Sequence, residues 1–177
     1  MSMPDMSFQF GKYNSLTDMG IICESYDTMF PPKRSRKVQI PGRDGMYDYG
    51  SENYDERPIV CSCKLINQIS KAELRNVAYM LSSKKNLVFW DEPDKYYIAE
   101  LFDPTEIQNI ADRLWLEFDL TFTCFPFAMS DAKTVPISSG NSQVGYQGTA
   151  KAPCTIILRN ETNSSIVNPT IKFSFRG

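Results

Sequence analysis

The chain contains no histidine. That absence removes the Ser-His-Asp and Cys-His catalytic machines, His-ligated metal centres and the imidazole pH switch. It also lacks C-x-x-C spacing, and its five cysteines are an odd number, so neither a common zinc site nor a complete set of internal disulfides is expected. No unbroken apolar run approaches the roughly 20 residues of a membrane-spanning helix. Met1 to Asp18 alternates polar and apolar residues where a secretion signal would be apolar. These features point to a reducing cytoplasm, where the sequons at Asn160 and Asn163 stay silent and Cys61 and Cys63, two apart in an alternating stretch, act as small apolar filler on one strand face. An excess of charge of one sign is missing too: 19 Lys and Arg against 21 Asp and Glu leave a net charge of -2, which gives no overall electrostatic pull on phosphates or anionic lipids.

What is present describes a globular chain. At 177 residues, 42% hydrophobic and 23% charged, it can bury roughly 70% of its unfolded surface as one domain, or one domain with a partial second lobe. Aromatic residues reach 12%, with 11 Phe and 9 Tyr, and aromatic side chains favour pleated, half-buried surfaces. A β-rich fold is the first expectation.

The hydrophobic pattern places the elements. Phe8 and Phe10, and then Gly20 to Cys23, read as short strands. Pro58 to Ile66 reads as a longer one, with Ile59, Cys61, Cys63 and Leu65 on one face. Ser70 and Glu73 form a capping box ahead of Leu74, Val77, Ala78 and Leu81, which fall on one helical stripe. The helix is expected to end near Ser82 to Asn86, where lysines suit its negative pole and Asn86 can leave the helical conformation. Leu87 to Trp90 and Tyr96 to Phe102 read as a hairpin around Asp91 to Lys95. Leu114, Leu116, Phe118, Leu120, Phe122 and Cys124 alternate with polar partners, the cleanest strand signal in the chain, and acids and threonines lie on its outer face. From about residue 130 the composition turns to Ser, Gly, Gln and Lys, so the chain divides into 1–130 and 131–177, the latter with strands expected at Thr155 to Leu158 and Ile171 to Phe175. Two strands cannot bury a core alone.

The chemistry-bearing clusters are few. Lys33-Arg34-Ser35-Arg36-Lys37 packs four cations into five residues, as a solvated edge or a partner contact. Pro41-Gly42-Arg43-Asp44-Gly45 is a tight turn and not a phosphate loop, because no Gly-Lys-Ser/Thr follows. Residues 46–56, with Tyr47, Tyr49 and Tyr54, read as an exposed loop or hairpin arm. Its Glu52, Asp55 and Glu56 have no fixed separation for glycosidase work. Asp91, Glu92 and Asp94 are turn carboxylates, short of a calcium loop's ligand set. No catalytic, metal or cofactor residues are assigned.

The order of these pieces resembles the N-terminal ring domain of the distal tail protein (Dit) family of siphophages. An aromatic strand, a Gly turn, a short apolar strand, a basic segment, Pro41 to Gly45 and an acidic arm come first. A strand, one amphipathic helix, the Tyr96 to Phe102 strand and a long strand ending in Cys124-Phe125-Pro126-Phe127 follow. The resemblance spans roughly residues 6–130. It implies a mainly β fold, sandwich or barrel-like, with one helix packed on the sheet and a partial C-terminal β lobe. It also implies a non-enzymatic virion protein of a phage or prophage, assembled in the host cytoplasm into a homo-hexameric ring in the tail baseplate. That ring joins the tail tube protein to the tail hub protein and leaves a channel through which DNA passes without specific binding, with no membrane involved. The candidate contacts are Lys33, Arg34, Arg36, Lys37, Arg43, Asp44, Tyr47, Tyr49 and Tyr54. The family's galectin-like second sandwich needs more chain than residues 131–177 supply. The rival reading is a carbohydrate-binding module with Trp90, Trp115, Tyr96 or Tyr97 as its platform; a hydrolase built on Asp and Glu stands third.

Overall fold

The computed structural model describes residues 3–28, 30–50, 53–67, 69–101, 117–138, 140–161, 163–165, 167 and 170–172. The chain divides into two compact units, Met1–Pro136 and Ile137–Gly177. The first holds the strands β1 (Phe8–Phe10), β2 (Tyr13–Asn14), β3 (Ile21–Asp27), β4 (Lys37–Gln39), β5 (Met46–Asp48) and β6 (Arg57–Leu65). The helix α1 (Lys71–Leu81) and the strands β7 (Lys85–Phe89), β8 (Tyr97–Leu101) and β9 (Glu117–Cys124) follow. Seven strands form one antiparallel sheet in the order β2-β1-β7-β8-β9-β6-β3, and β4 and β5 pair separately.

Period-two alternation decides which side of this sheet is dry. Ile59, Cys61 and Cys63 of β6 and Leu120, Phe122 and Cys124 of β9 are buried, joined by Phe8, Phe10, Ile21, Cys23, Leu87, Phe89 and Ala99 from the other strands. Phe122 sits among them, its ring 5.5 Å from Phe8 and 5.4 Å from Phe10. The sheet curls far enough for its two flanks to meet. The Cys23 N–H of β3 donates to the Met6 carbonyl just ahead of β1 at 2.9 Å, and the Ile21 N–H donates to the Ser15 carbonyl at 2.7 Å. This barrel-like closure satisfies edge groups that an open sheet would leave exposed. The expected mainly β fold is borne out, with one helix among the described residues.

The helix forms where its caps predict. The Ser70 hydroxyl accepts from the Glu73 N–H at 3.3 Å while the Glu73 carboxylate accepts from the Ser70 N–H at 2.7 Å, and Leu74, Val77 and Leu81 are buried in the core. Its end falls at the first residue of the expected stretch, not at Asn86. Ser82 caps it, Ser83 takes φ of 67°, and Asn86 already lies in β7. Lys85 compensates: its ammonium donates to the Met80 and Ser82 carbonyls, each at 2.7 Å, satisfying groups that the helix leaves without partners. The Lys85 stem also crosses Gly11, where a Cβ would meet its Cδ at 3.0 Å; with φ of 64°, Gly11 is a turn position that a side chain would strain.

In Ile137–Gly177 none of the described residues lies in a strand. Thr155 to Leu158 therefore does not form the strand its apolar run suggests. A strand requires a ladder partner, and most of the other expected strand, Ile171 to Phe175, lies outside the described residues. Leu114, Trp115, Leu116 and Phe102 also lie outside them.

Candidate interaction arm

The chain leaves the barrel after Asp27 and re-enters it at Arg57, and in between it doubles back as a hairpin. The root is a bridge between Lys33 and Tyr54, flanked by Arg34 N–H to Asn53 O and Asp55 N–H to Pro32 O, both 2.8 Å. Farther out the Tyr49 N–H donates to the Arg36 carbonyl at 3.0 Å, and β4 meets β5 with Lys37 opposite Asp48, Val38 opposite Tyr47 and Gln39 opposite Met46. Pro41–Gly45 closes the tip, with Gly42 and Gly45 at φ of 82° and 80° supplying the left-handed turn geometry. What the sequence suggests as an arm over 46–56 is thus a longer hairpin in which the basic segment is the outgoing strand.

Alternation gives this hairpin two unlike faces. Val38 and Tyr47 share one face with Arg36, Tyr49 and, toward the tip, Ile40; Lys37, Gln39, Met46 and Asp48 share the other. On the first face the Tyr47 and Tyr49 rings meet edge-on at 5.0 Å, and the Arg43 guanidinium lies 5.6 Å from the Tyr47 ring centre. Tyr47, Tyr49, Val38 and Ile40 are all at least 40% exposed. A two-stranded ribbon is only marginally stable alone in water, and a contiguous exposed apolar stripe marks a surface that meets something.

The nine residues singled out from the sequence divide by position. Arg34 is committed to an ion pair with Asp55 at the root, and the Tyr54 ring packs edge-on against Phe127 at 5.1 Å. The ion pair closes the root of the hairpin, and the ring contact ties that root to the body. Lys33 lies in the root bridge, Lys37 on the polar face, and Asp44 in the tip turn. Arg36, Arg43, Tyr47 and Tyr49 come together on the exposed stripe. Sequence reading missed Val38 and Ile40 as members of that stripe. Their alternation, mirrored by Tyr47 and Tyr49 across a Pro-Gly turn, is the signal that finds them.

The competing chemistries find less support. Asp55 is occupied by Arg34, Asp91 accepts from the Tyr26 hydroxyl, Glu92 pairs with Lys95, and Glu52 lies outside the described residues. Among the described residues no group of three or more metal-ligating side chains converges. Of the platform aromatics, Tyr97 is buried beneath the Arg57 guanidinium, 4.6 Å from its ring centre, and Trp90 is half-buried edge-on to Tyr26; Trp115 lies outside the described residues. The thiols of Cys23, Cys61, Cys63 and Cys124 are buried and free, and burial pushes Cys124 up to about 12. None of the described helices is long and apolar enough to cross a membrane.

A family model for the phage tail protein RIFT-related domain matches residues 15–124, well over half of the chain. The chain belongs to that phage tail family. The matched stretch of this tail domain runs from the loop ahead of β3 to the last residue of β9, and so contains the whole arm. Among solved structures the tail domain is similar to the Dit protein (gp 19.1) of SPP1, named as a paradigm of the hub adsorption apparatus in phages that infect Gram-positive bacteria. The TM-score is 0.54 at 20% identity, covering 71% of this chain. The chain spans about half (52%) of the SPP1 protein's length. No curated protein matches it. The resemblance read from the sequence is thus met by membership of this phage tail family and by a fold like that of a Dit protein.

Proposed function

We propose that this tail domain is a structural part of the virion that closes a homo-hexameric ring between the tail tube and the baseplate hub, leaving a central channel for DNA. The observation that carries the reading is the arm. Its exposed stripe of Val38, Ile40, Tyr47 and Tyr49, edged by Arg36 and Arg43, has the composition of an interface core with a polar rim, on a fold whose family works in phage tails. An arm that meets a different surface of the next subunit makes a heterologous contact, and such contacts close into rings when the rotation permits. Family membership and the likeness to Dit support a place beside the hub. The net charge of -2 suits a channel that lets DNA pass, because tight passage would be hindered by clustered cations. Free, buried cysteines suit assembly in the host cytoplasm. Nothing in this role calls for catalysis.

Native mass spectrometry and light scattering on the full chain test the reading. A species of six copies of the 20.2 kDa chain, seen as an annulus by negative-stain microscopy, is expected. A monomer at every concentration, alone and with tail tube and hub proteins, overturns it.

A further inference from the structure

We infer that the arm of one copy docks on the outer face of β6 and β9 of the next copy, with its Arg36 and Arg43 set against Glu117 and Asp119. The inference rests on the ring reading and adds to it the acceptor surface.

That outer face is built by the same alternation that fills the core. Opposite pairs Val60–Thr121, Ser62–Asp119 and Lys64–Glu117 point away from the buried side, and Glu100 of β8 lies opposite Thr123. The centre is therefore β-branched and only weakly polar, and its margin is acidic. A depression of about 210 Å³ opens there, with Glu24, Ser62, Glu117 and Asp119 on its walls. Lys64 is the cation set among these acids; it pairs with Glu24 at 2.7 Å and Glu117 at 3.0 Å, which hold it charged. Among the described residues of this face, four carboxylates, Glu24, Glu100, Glu117 and Asp119, against this one ammonium leave it net negative.

The arm presents the opposite pattern. Its centre is Val38, Ile40, Tyr47 and Tyr49, and its margin is the guanidiniums of Arg36 and Arg43. Like charges facing one another across an interface cost several kcal/mol, so a basic-edged stripe selects an acidic-edged floor over its own kind. Length fits as well. From Lys33 to Ile40 the arm extends roughly 25 Å at about 3.3 Å per residue, enough to cross the three strand spacings from β3 to β8, about 14 Å. Arginine suits the task because its planar group stacks on tyrosine and still pairs with carboxylate.

Charge exchange between two variants of the full chain tests the contact. The arm variant carries Arg36→Glu and Arg43→Glu; the face variant carries Glu117→Lys and Asp119→Lys. All four positions are exposed, so the far-UV circular dichroism of each variant should match the unaltered chain; the arm variant should melt with it and the face variant slightly below it, because the latter loses the Lys64–Glu117 pair and the Ser62 hydroxyl's bond to Asp119. Each variant alone should assemble at least about tenfold more weakly. Mixed in equal amounts they should recover assemblies holding both in equal numbers, because in an alternating ring every reversed arm meets a reversed face and every native arm a native face. The milder Glu117→Gln and Asp119→Asn pair, which keeps shape, should weaken assembly less and make it less sensitive to salt. If the unaltered chain assembles and the face variants assemble equally well, or if mixing restores nothing, the acceptor assignment is wrong and the ring reading survives. If the unaltered chain never assembles, the ring reading falls and this inference with it.

Discussion

The Tyr26 hydroxyl donates to the Asp91 carboxylate, 2.6 Å from one oxygen and 2.7 Å from the other, while its ring lies flat on Phe89 with centroids 3.7 Å apart. Tyr26 belongs to β3, the last strand in the sheet order, and Phe89 to β7, the third. They can touch only because the sheet curls back on itself, so this stack and hydrogen bond help hold the barrel closed. Tyr26→Phe keeps the stack and should cost about 1 kcal/mol, the net worth of a partly exposed hydrogen bond. Tyr26→Ala loses both and should cost about 2–3 kcal/mol in urea unfolding. Burial first, and then Asp91, raise the phenol's pKa above its ordinary value. Above about pH 10 the unfolded chain releases this proton while the folded chain keeps it, so stability should fall as pH rises, and the Phe variant should lack that part of the fall.

At the start of α1 the reciprocal bonds between Ser70 and Glu73 satisfy two N–H groups that a helix leaves open. Ser70→Ala should cost about 1 kcal/mol by thermal or denaturant melting. The backbone and hydroxyl of Ser70 hold the Glu73 carboxyl below its ordinary value. Its contribution is complete above the unfolded value near about 4.3 and is lost as pH falls through the lower folded value. Glu73→Gln should therefore lower the neutral plateau slightly and flatten the acid limb of the stability profile, because the charged form's contribution is then missing at every pH.

How far the sequence speaks follows from which interactions are local. Strand alternation in Ile59, Cys61 and Cys63, and in Leu120, Phe122 and Cys124, depends on period two alone, and these strands lie where that pattern sets them. The capping box is equally local. Closure of the barrel is not: the meeting of Cys23 with Met6, and of Tyr26 with Phe89, joins residues whose relation depends on the curl of seven strands. The end of α1 was legible only in part, because Lys85 supplies the cap from inside β7, a role that depends on the turn at Ser83. In the arm the turn residues are plain in the sequence. The division of Arg34 and Tyr54 from Arg36 and Tyr47 is not, because it needs the root contacts to Asp55 and Phe127.

Thiol accessibility gives a check on the core that is independent of assembly. Cys23, Cys61, Cys63 and Cys124 are buried, whereas Cys154 is exposed. Alkylation by iodoacetamide under native conditions, read by peptide mass spectrometry, should modify Cys154 within minutes and the other four only after denaturant is added. Rapid labelling of Cys61 or Cys63 in the native protein would contradict the register that turns both inward between β3 and β9.

The arm should matter to assembly and not to folding. Tyr47 and Tyr49 touch each other and the tip, far along the ribbon from the root pairs Arg34–Asp55 and Tyr54–Phe127. Tyr47→Ser with Tyr49→Ser removes two rings that lie in the exposed class and meet each other and Arg43 on the ribbon, so it takes little buried area from the monomer, and the unfolding midpoint should move by about the ±0.5 kcal/mol typical of surface changes. Interface aromatics near the centre of a contact each contribute about 2 kcal/mol or more when truncated, so the same pair should weaken self-association by at least about a hundredfold in sedimentation velocity. Phe127→Ala, which loosens the root, should act differently: it should raise protease cleavage between Lys33 and Asp55 before it changes the melting of the barrel, because it frees the ribbon to move. A double-serine variant that assembles like the unaltered chain would show that the stripe faces solvent in the finished tail.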